Sequence, residues 1–287
     1  MIRLLKIEFQ KLFYSTTFWV ILGLYVLLLF PMALALQELS TFVFGQAIQI
    51  QTPMVGDLVN SYSIFNHPEV WHNMTYLSMW FKFLLVVIVI ISVTNEFRYK
   101  TLKQNIIDGM SKWEVVLSKE LLILSLCIIA VILNVVLVII LGRGQEGVSF
   151  YDGVVIVVPY FISLLLYLNF AYLLSSWLKK SGFVLGIILL YSLIIENLIT
   201  WKLPDSIDRF FPMNLVSRMK PNPLEELIGK ESTGFSALDT VLCFAYIALF
   251  VFTNYWMLKM QCSKAIIKVE KGLNIKPLHY RYQLHLG

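Results

Sequence analysis

The chain has 287 residues, 58% of them hydrophobic and only 14% charged, with a mean hydropathy of +0.75. A soluble domain must cover itself largely with charged and polar groups, so this composition excludes an ordinary soluble enzyme and points to a bilayer as the solvent. The net charge of +5 would suit a nucleic acid, but the basic residues are scattered over several segments without a dense, aromatic-interleaved patch, which excludes nucleic acid as a partner.

The chain opens with an amphipathic stretch over residues 1–17. Ile2, Leu5, Phe9, Leu12 and Phe13 recur at helical spacing, while Arg3, Lys6, Gln10 and Lys11 lie largely off that stripe. This pattern predicts a helix lying in the headgroup region with its basic groups toward anionic lipid. The first apolar run starts at Phe18 with no small-residue cleavage site behind it, so it is read as a retained span rather than a signal peptide.

A helix crossing a hydrocarbon core of roughly 30 Å needs about 20 apolar residues. Six segments meet that test, at residues 18–36, 76–93, 121–141, 154–174, 183–200 and 238–258. The expected fold is therefore all-α: a six-span membrane domain over 18–260, preceded by the interfacial helix and followed by a basic tail over 261–287. Cys127, Cys243 and Cys262 are too widely spaced for a disulfide framework or a metal cluster and read as small core residues.

Lys and Arg near span ends are retained on the cytoplasmic side. Placing both termini there puts 16 of the 23 basic residues and six of the 18 acidic ones inside, a formal balance of +10 within and −5 without. The chain is expected to cross its membrane several times.

No catalytic signature stands out. Gly142, Gly144 and Gly147 cluster, but no Lys-Ser or Lys-Thr follows them to hold phosphates and magnesium. Glu225 and Glu226 fall in a Pro-rich loop rather than inside a span. His67, Glu69 and His72 flank Pro68 with a His spacing unlike that of a two-His helical metal site. Neither a catalytic residue, nor a metal, nor a cofactor is expected in this chain.

The informative stretch is the loop between the second and third spans, from Asn95 to Glu114. Thr101 and Gln104 have capping-box spacing, and Leu102, Ile106 and Ile107 form a short apolar stripe. Gly109 is placed to stop the helix in a left-handed conformation, and Ser111 with Glu114 forms a second capping box. The expectation is one short amphipathic helix rigidly joined to two membrane helices.

The pattern Glu96-Phe97, Thr101-Leu102, Gly109-Met110-Ser111 and Lys112 resembles the corresponding loop of type 2 ATP-binding-cassette transporter permeases. The amphipathic start, the six spans, the large outer segment before the last span and the lack of an ATPase domain are similar as well. The sequence departs from that family at Lys100, where many relatives have glycine. The resemblance implies a coupling helix resting on a separate cytoplasmic ATPase subunit, with Glu96, Phe97, Thr101, Leu102, Gln104, Ile106, Gly109, Ser111 and Lys112 at or near the contact. It implies pairing with an identical or related permease subunit, a place in the plasma (inner) membrane, an export function, and no ATP hydrolysis by this chain. A membrane sensor or assembly factor of the same architecture is the other reading.

Lys82 and Glu196 both fall toward the outer ends of their predicted spans. A charge at the centre of a bilayer costs about 2.5–3.5 kcal/mol on insertion scales. Lys82 is therefore expected either to snorkel to the interface or to pair with Glu196 near an outer gate. The last outer segment, with Asp205, Arg209, Phe210, Phe211, Met213, Leu215 and Val216, suits a short helix at the outer leaflet.

Overall fold

A computed structural model describes residues 10–49, 65, 68–107, 109–142, 150–201, 205–219 and 236–273. Among them every regular element is helical. A helical turn over residues 10–13 leads into α1 (Thr16–Gln49), followed by α2 (Glu69–Trp80), α3 (Lys82–Arg98), α4 (Thr101–Ile107) and α5 (Lys112–Leu141). A 3-10 segment (Phe150–Ile156) enters α6 (Val157–Leu178). Then come α7 (Ser181–Leu190), a π-helical turn (Tyr191–Ile195), α8 (Glu196–Thr200), α9 (Asp205–Asp208), α10 (Pro212–Arg218) and α11 (Ala237–Leu273).

Five helical stretches are long and apolar enough to cross a membrane, and six if the bent α2–α3 pair forms one span. Helices suit that solvent because each satisfies its backbone hydrogen bonds within itself. The β-branched residues that crowd α5 carry no penalty large enough to compete with this requirement.

The sequence predicts one helix over 76–93, and the structure breaks it. The chain bends by 44° between α2 and α3 at Phe81. The cause lies in the ladder: Phe81 N–H turns back to Ser78 O at 3.2 Å, and Leu84 N–H to Phe81 O at 3.0 Å, so bonds of the tighter i→i−3 kind replace α-helical ones. Just before the bend, the Thr75 and Ser78 hydroxyls donate to the carbonyls of Trp71 and Met74, a back-bonding that loosens the main-chain ladder. Two other helices run on past the predicted ends of their spans, although the apolar stretches themselves end at Leu39 and Met260. α1 continues past Leu36 to Gln49, and α11 continues past Leu258 to Leu273, into the segment read as the tail. The predicted fifth span contains the π turn, which no hydropathy window reveals. Residues 1–9 of the amphipathic stretch, 274–287 of the tail, His67, Gly144, Gly147, Glu225 and Glu226 lie outside the described residues.

α6 is the centre of the bundle and packs against α2, α3, α5, α7, α10 and α11. It is apolar all round, as a helix surrounded by other helices should be. Several of its polar side chains bond within the helix: Ser163, Ser175 and Ser176 donate to main-chain carbonyls one turn back, and the Asn169 amide N–H does the same to Leu165 O. Asn134 of α5 donates to Ser78 of α2 at 2.7 Å, a buried link of the kind that joins helices in lipid.

The 3-10 segment meets α2 where the buried Trp71 indole lies on Gly153, so closely that a Cβ there would overlap the ring. Gly153→Ala should therefore lower stability by about 1–3 kcal/mol, the usual effect of overpacking. SDS titration of the purified protein reads this directly. An unchanged midpoint would mean that the indole moves aside freely.

Candidate functional site

The loop between α3 and α5 folds as a short helix held at both ends. α3 closes with Tyr99 N–H on Asn95 O at 2.8 Å, and Lys100 then turns left-handed, with φ +58°. The Lys100 carbonyl accepts Gln104 N–H at 3.3 Å, the first bond of α4. One residue thus ends α3 and caps α4. Thr101 and Gln104 were expected to form a capping box; instead Thr101 is the first residue inside the helix, because the left-handed turn reverses the chain one position earlier. Glycine is the residue that accepts such a φ without strain.

The far end of α4 matches its expectation. Gly109 has φ +95°, its N–H meets Ile106 O at 3.2 Å, and Met110 N–H meets Asn105 O at 3.0 Å, the paired bonds of a Schellman motif. Ser111 then caps α5 reciprocally: its Oγ accepts Glu114 N–H at 3.2 Å, while its own N–H donates to Glu114 Oε2 at 2.7 Å. Lys112 is the first residue of α5. Of the predicted apolar stripe, Leu102 is buried and Ile106 packs against the core, but Ile107 points outward with 77% of its surface exposed. Tyr99 is also exposed.

Beneath this loop lies an ion cluster that ties three helical segments together. Glu96 Oε1 of α3 accepts Lys119 Nζ of α5 at 2.8 Å and Lys11 Nζ of the first helical turn at 2.9 Å. The Glu96 and Lys119 side chains are 8% and 3% exposed, and Lys11 is 40% exposed. Lys119 also lies 3.4 Å from Ser92 Oγ. A buried carboxylate and ammonium satisfy each other's charge, and each would be costly alone. Two further contacts widen the clamp. Lys179, itself left-handed at the end of α6, places its ammonium 5.1 Å from the Phe97 ring. Trp113 stacks on Tyr255 of α11 at 4.1 Å and 11°.

The sequence marked Glu96, Phe97, Thr101, Leu102, Gln104, Ile106, Gly109, Ser111 and Lys112, and the structure distributes these over the last turn of α3, α4, the turn after it and the start of α5. It did not mark Lys11, Lys119, Lys179, Trp113 or Tyr255 as parts of the same site. Their partners lie 23 to 85 residues away for the ion pairs, and no short-range spacing encodes such a meeting. The available signal was Glu96 itself, an acid at the end of an apolar run among basic neighbours.

At the opposite end of the bundle, Lys82 and Glu196 are brought close enough to interact electrostatically, yet no direct ion pair between them forms among the described residues. Lys82 is half-buried with its ammonium 4.4 Å over the Tyr167 ring. Glu196 is buried and turns to α10, where its carboxylate accepts the Asn214 N–H. The helix start supplies both an unsatisfied donor and a favourable dipole, which accounts for this orientation. α9 and α10 are further fixed by Arg218 on Asp208 at 2.8 Å, by Asn214 on Asp208 O at 3.0 Å, and by the Tyr246 hydroxyl donating to Phe210 O.

Glu96→Ala removes the carboxylate that faces the buried Lys119 ammonium and should cost about 3–5 kcal/mol. Lys11→Ala removes a partly exposed partner and should cost no more than about 1 kcal/mol. Adding Lys119→Met to Glu96→Ala should recover most of the first loss. Unfolding midpoints of the three variants check the ordering, and equal losses for Glu96→Ala and Lys11→Ala would contradict it.

No curated protein matches the chain. A family match extends over residues 60–260, which include α2 to α10, the apolar part of α11 and both ends of the bundle, though not Lys11. On that match the chain belongs to DUF2705, a family described as proteins of unknown function.

Proposed function

We propose that this chain is the permease subunit of an ATP-driven exporter of the type 2 ATP-binding-cassette kind. In this reading six spans cross the plasma membrane with both termini in the cytoplasm, and the α2–α3 pair forms the second span. The subunit pairs with an identical or related one and rests on separate ATPase subunits through α4. ATP binding would draw the two α4 helices together and shift the spans between inward-open and outward-open states, by binding one state more tightly than the other. The chain itself would hydrolyse nothing.

The observation that carries this reading is the stiffness of α4 combined with its exposed tip. Force passes through a short helix only if its ends do not yield. Here a Schellman turn, a reciprocal capping box, the buried Leu102 and the Lys11–Glu96–Lys119 cluster leave it little slack. Ile107 and Tyr99 project from that support at the basic end of the bundle, where an ATPase on the cytoplasmic side would meet them. A plain connecting loop has no need of either feature.

The test is affinity purification of the solubilised protein from its native membrane, with ATP hydrolysis assayed on whatever is retained. Ile107→Asp is the informative variant because its side chain is exposed, whereas charging Leu102 would damage the core. An ATPase retained by the native chain and reduced at least about tenfold by Ile107→Asp is the expected result; about 1.4 kcal/mol lost at one apolar anchor suffices. If the native protein brings down no ATPase, the sensor or assembly reading takes its place.

A further inference from the structure

One carboxyl of the bundle takes no part in the ion cluster beneath α4, although it is next to it in sequence. Glu120, one residue beyond Lys119 on α5, reaches across to Asn169 of α6. The two consecutive residues hold α5 to different neighbours. Lys119 is turned to Glu96 of α3 at 2.8 Å, while Glu120 lies where α5 packs on α6.

The helices packed against α5 bring no cation to this carboxyl. α6 carries no charged residue, and its titratable groups are the phenols of Tyr160, Tyr167 and Tyr172. α11 carries no charge between Asp239 and Lys259, and its titratable groups there are Cys243, Tyr246 and Tyr255. α3 brings Glu96, held by Lys119 and Lys11, and Arg98, exposed beside Tyr99. The charged or titratable residues of α1 and α2 are Tyr25 and Glu38, and Glu69, His72 and Tyr76. On α5 itself, Cys127 is the titratable group that Glu120 acts on.

An ionised Glu120 would leave the contact with Asn169 unsatisfied. Asn169 Nδ2 donates to Leu165 O at 3.1 Å, which fixes the orientation of the amide. Asn169 Oδ1 and Glu120 Oε1 are both buried, and neither has a hydrogen-bond partner among the described residues. A carboxylate only accepts, so even if the second Asn169 N–H served Glu120, Oδ1 would still lack a donor. A neutral carboxyl supplies the missing hydrogen, and it keeps an uncompensated charge out of an apolar helix interface.

We propose that Glu120 is a proton-binding site, whose neutral carboxyl donates its hydrogen to Asn169 Oδ1 and so ties α5 to α6. Glu120 is partly exposed, which lets the proton exchange. Its release to water would leave only acceptors at the joint, loosening α5 from α6 while Lys119 still holds α5 to α3. The seat of α4 thereby becomes sensitive to pH. The inference stands whether or not an ATPase docks on α4, since it needs only the contact between the two helices.

Infrared difference spectroscopy of the full chain in liposomes, wild type minus Glu120→Gln, tests it. At about pH 6, where an ordinary glutamate with a pKa of about 4.3 is ionised, the expected result is a protonated-carboxyl C=O band in the wild type. The band should vanish reversibly at about pH 10, beyond the range of buried carboxyls, and should move to higher frequency in Asn169→Leu. In SDS titrations Glu120→Gln, whose amide can donate in place of the O–H, should match the wild type. Glu120→Ala should lower the folding constant about fivefold, the effect of one net hydrogen bond. If Asn169→Leu does not fold, the wild-type band and the Gln and Ala variants carry the test. Absence of the band at about pH 6, a band unmoved in folded Asn169→Leu, or Glu120→Gln as damaging as Glu120→Ala would each overturn the proposal.

Discussion

The basic end of this bundle depends on one buried ion pair. Lys119 and Glu96 sit at the start of one long helix and the end of another, almost out of contact with water, where each offsets the charge of the other. The pair therefore fixes where α5 lies against α3. The intervening chain, from Phe97 to Ser118, has to leave α3, form a short helix between two tight turns, and enter α5 in the register that the pair requires. Lys11 brings the first helical turn to the same carboxylate, so three segments distant in sequence share one point of reference.

Everything observed in α4 follows from bridging two helices whose separation is already set. The left-handed Lys100 and Gly109 reverse the chain on either side of a seven-residue helix, and each uses backbone hydrogen bonds that would otherwise be lost at a helix end. Leu102 anchors the helix inward and Ile107 is left outside. α6 supplies the other support, because its central position lets Lys179 reach Phe97 while its body packs on both α3 and α5. The opposite end uses a different device: Glu196 holds α10 by its first turn, and Lys82 rests on Tyr167.

The sequence made the helical class and the approximate spans legible, because lipid demands long apolar runs and α-helices satisfy their own backbone. Gly109, Ser111 and Glu114 were equally legible, since caps act over three or four residues. The bend at Phe81 was not: it arises from hydroxyl back-bonding and a local change of ladder within an uninterrupted apolar run. Thr101 shows a local motif losing to chain geometry, with the left-handed residue before it taking the cap position. The ion cluster and the docking of Glu196 on α10 depend on which helices become neighbours. That is decided by packing around α6, and spacing along the chain does not report it.

If the tip of α4 is the contact through which an ATPase acts on the bundle, the two must touch in the membrane as well as in detergent. A photo-crosslinking amino acid placed at Ile107 in the otherwise native chain, activated in intact native membranes, measures that contact. The expected product is an adduct to an ATP-hydrolysing subunit, whose yield changes when ATP binding is trapped. An adduct to lipid alone, or to a partner without nucleotide-binding capacity, would contradict the role given to α4.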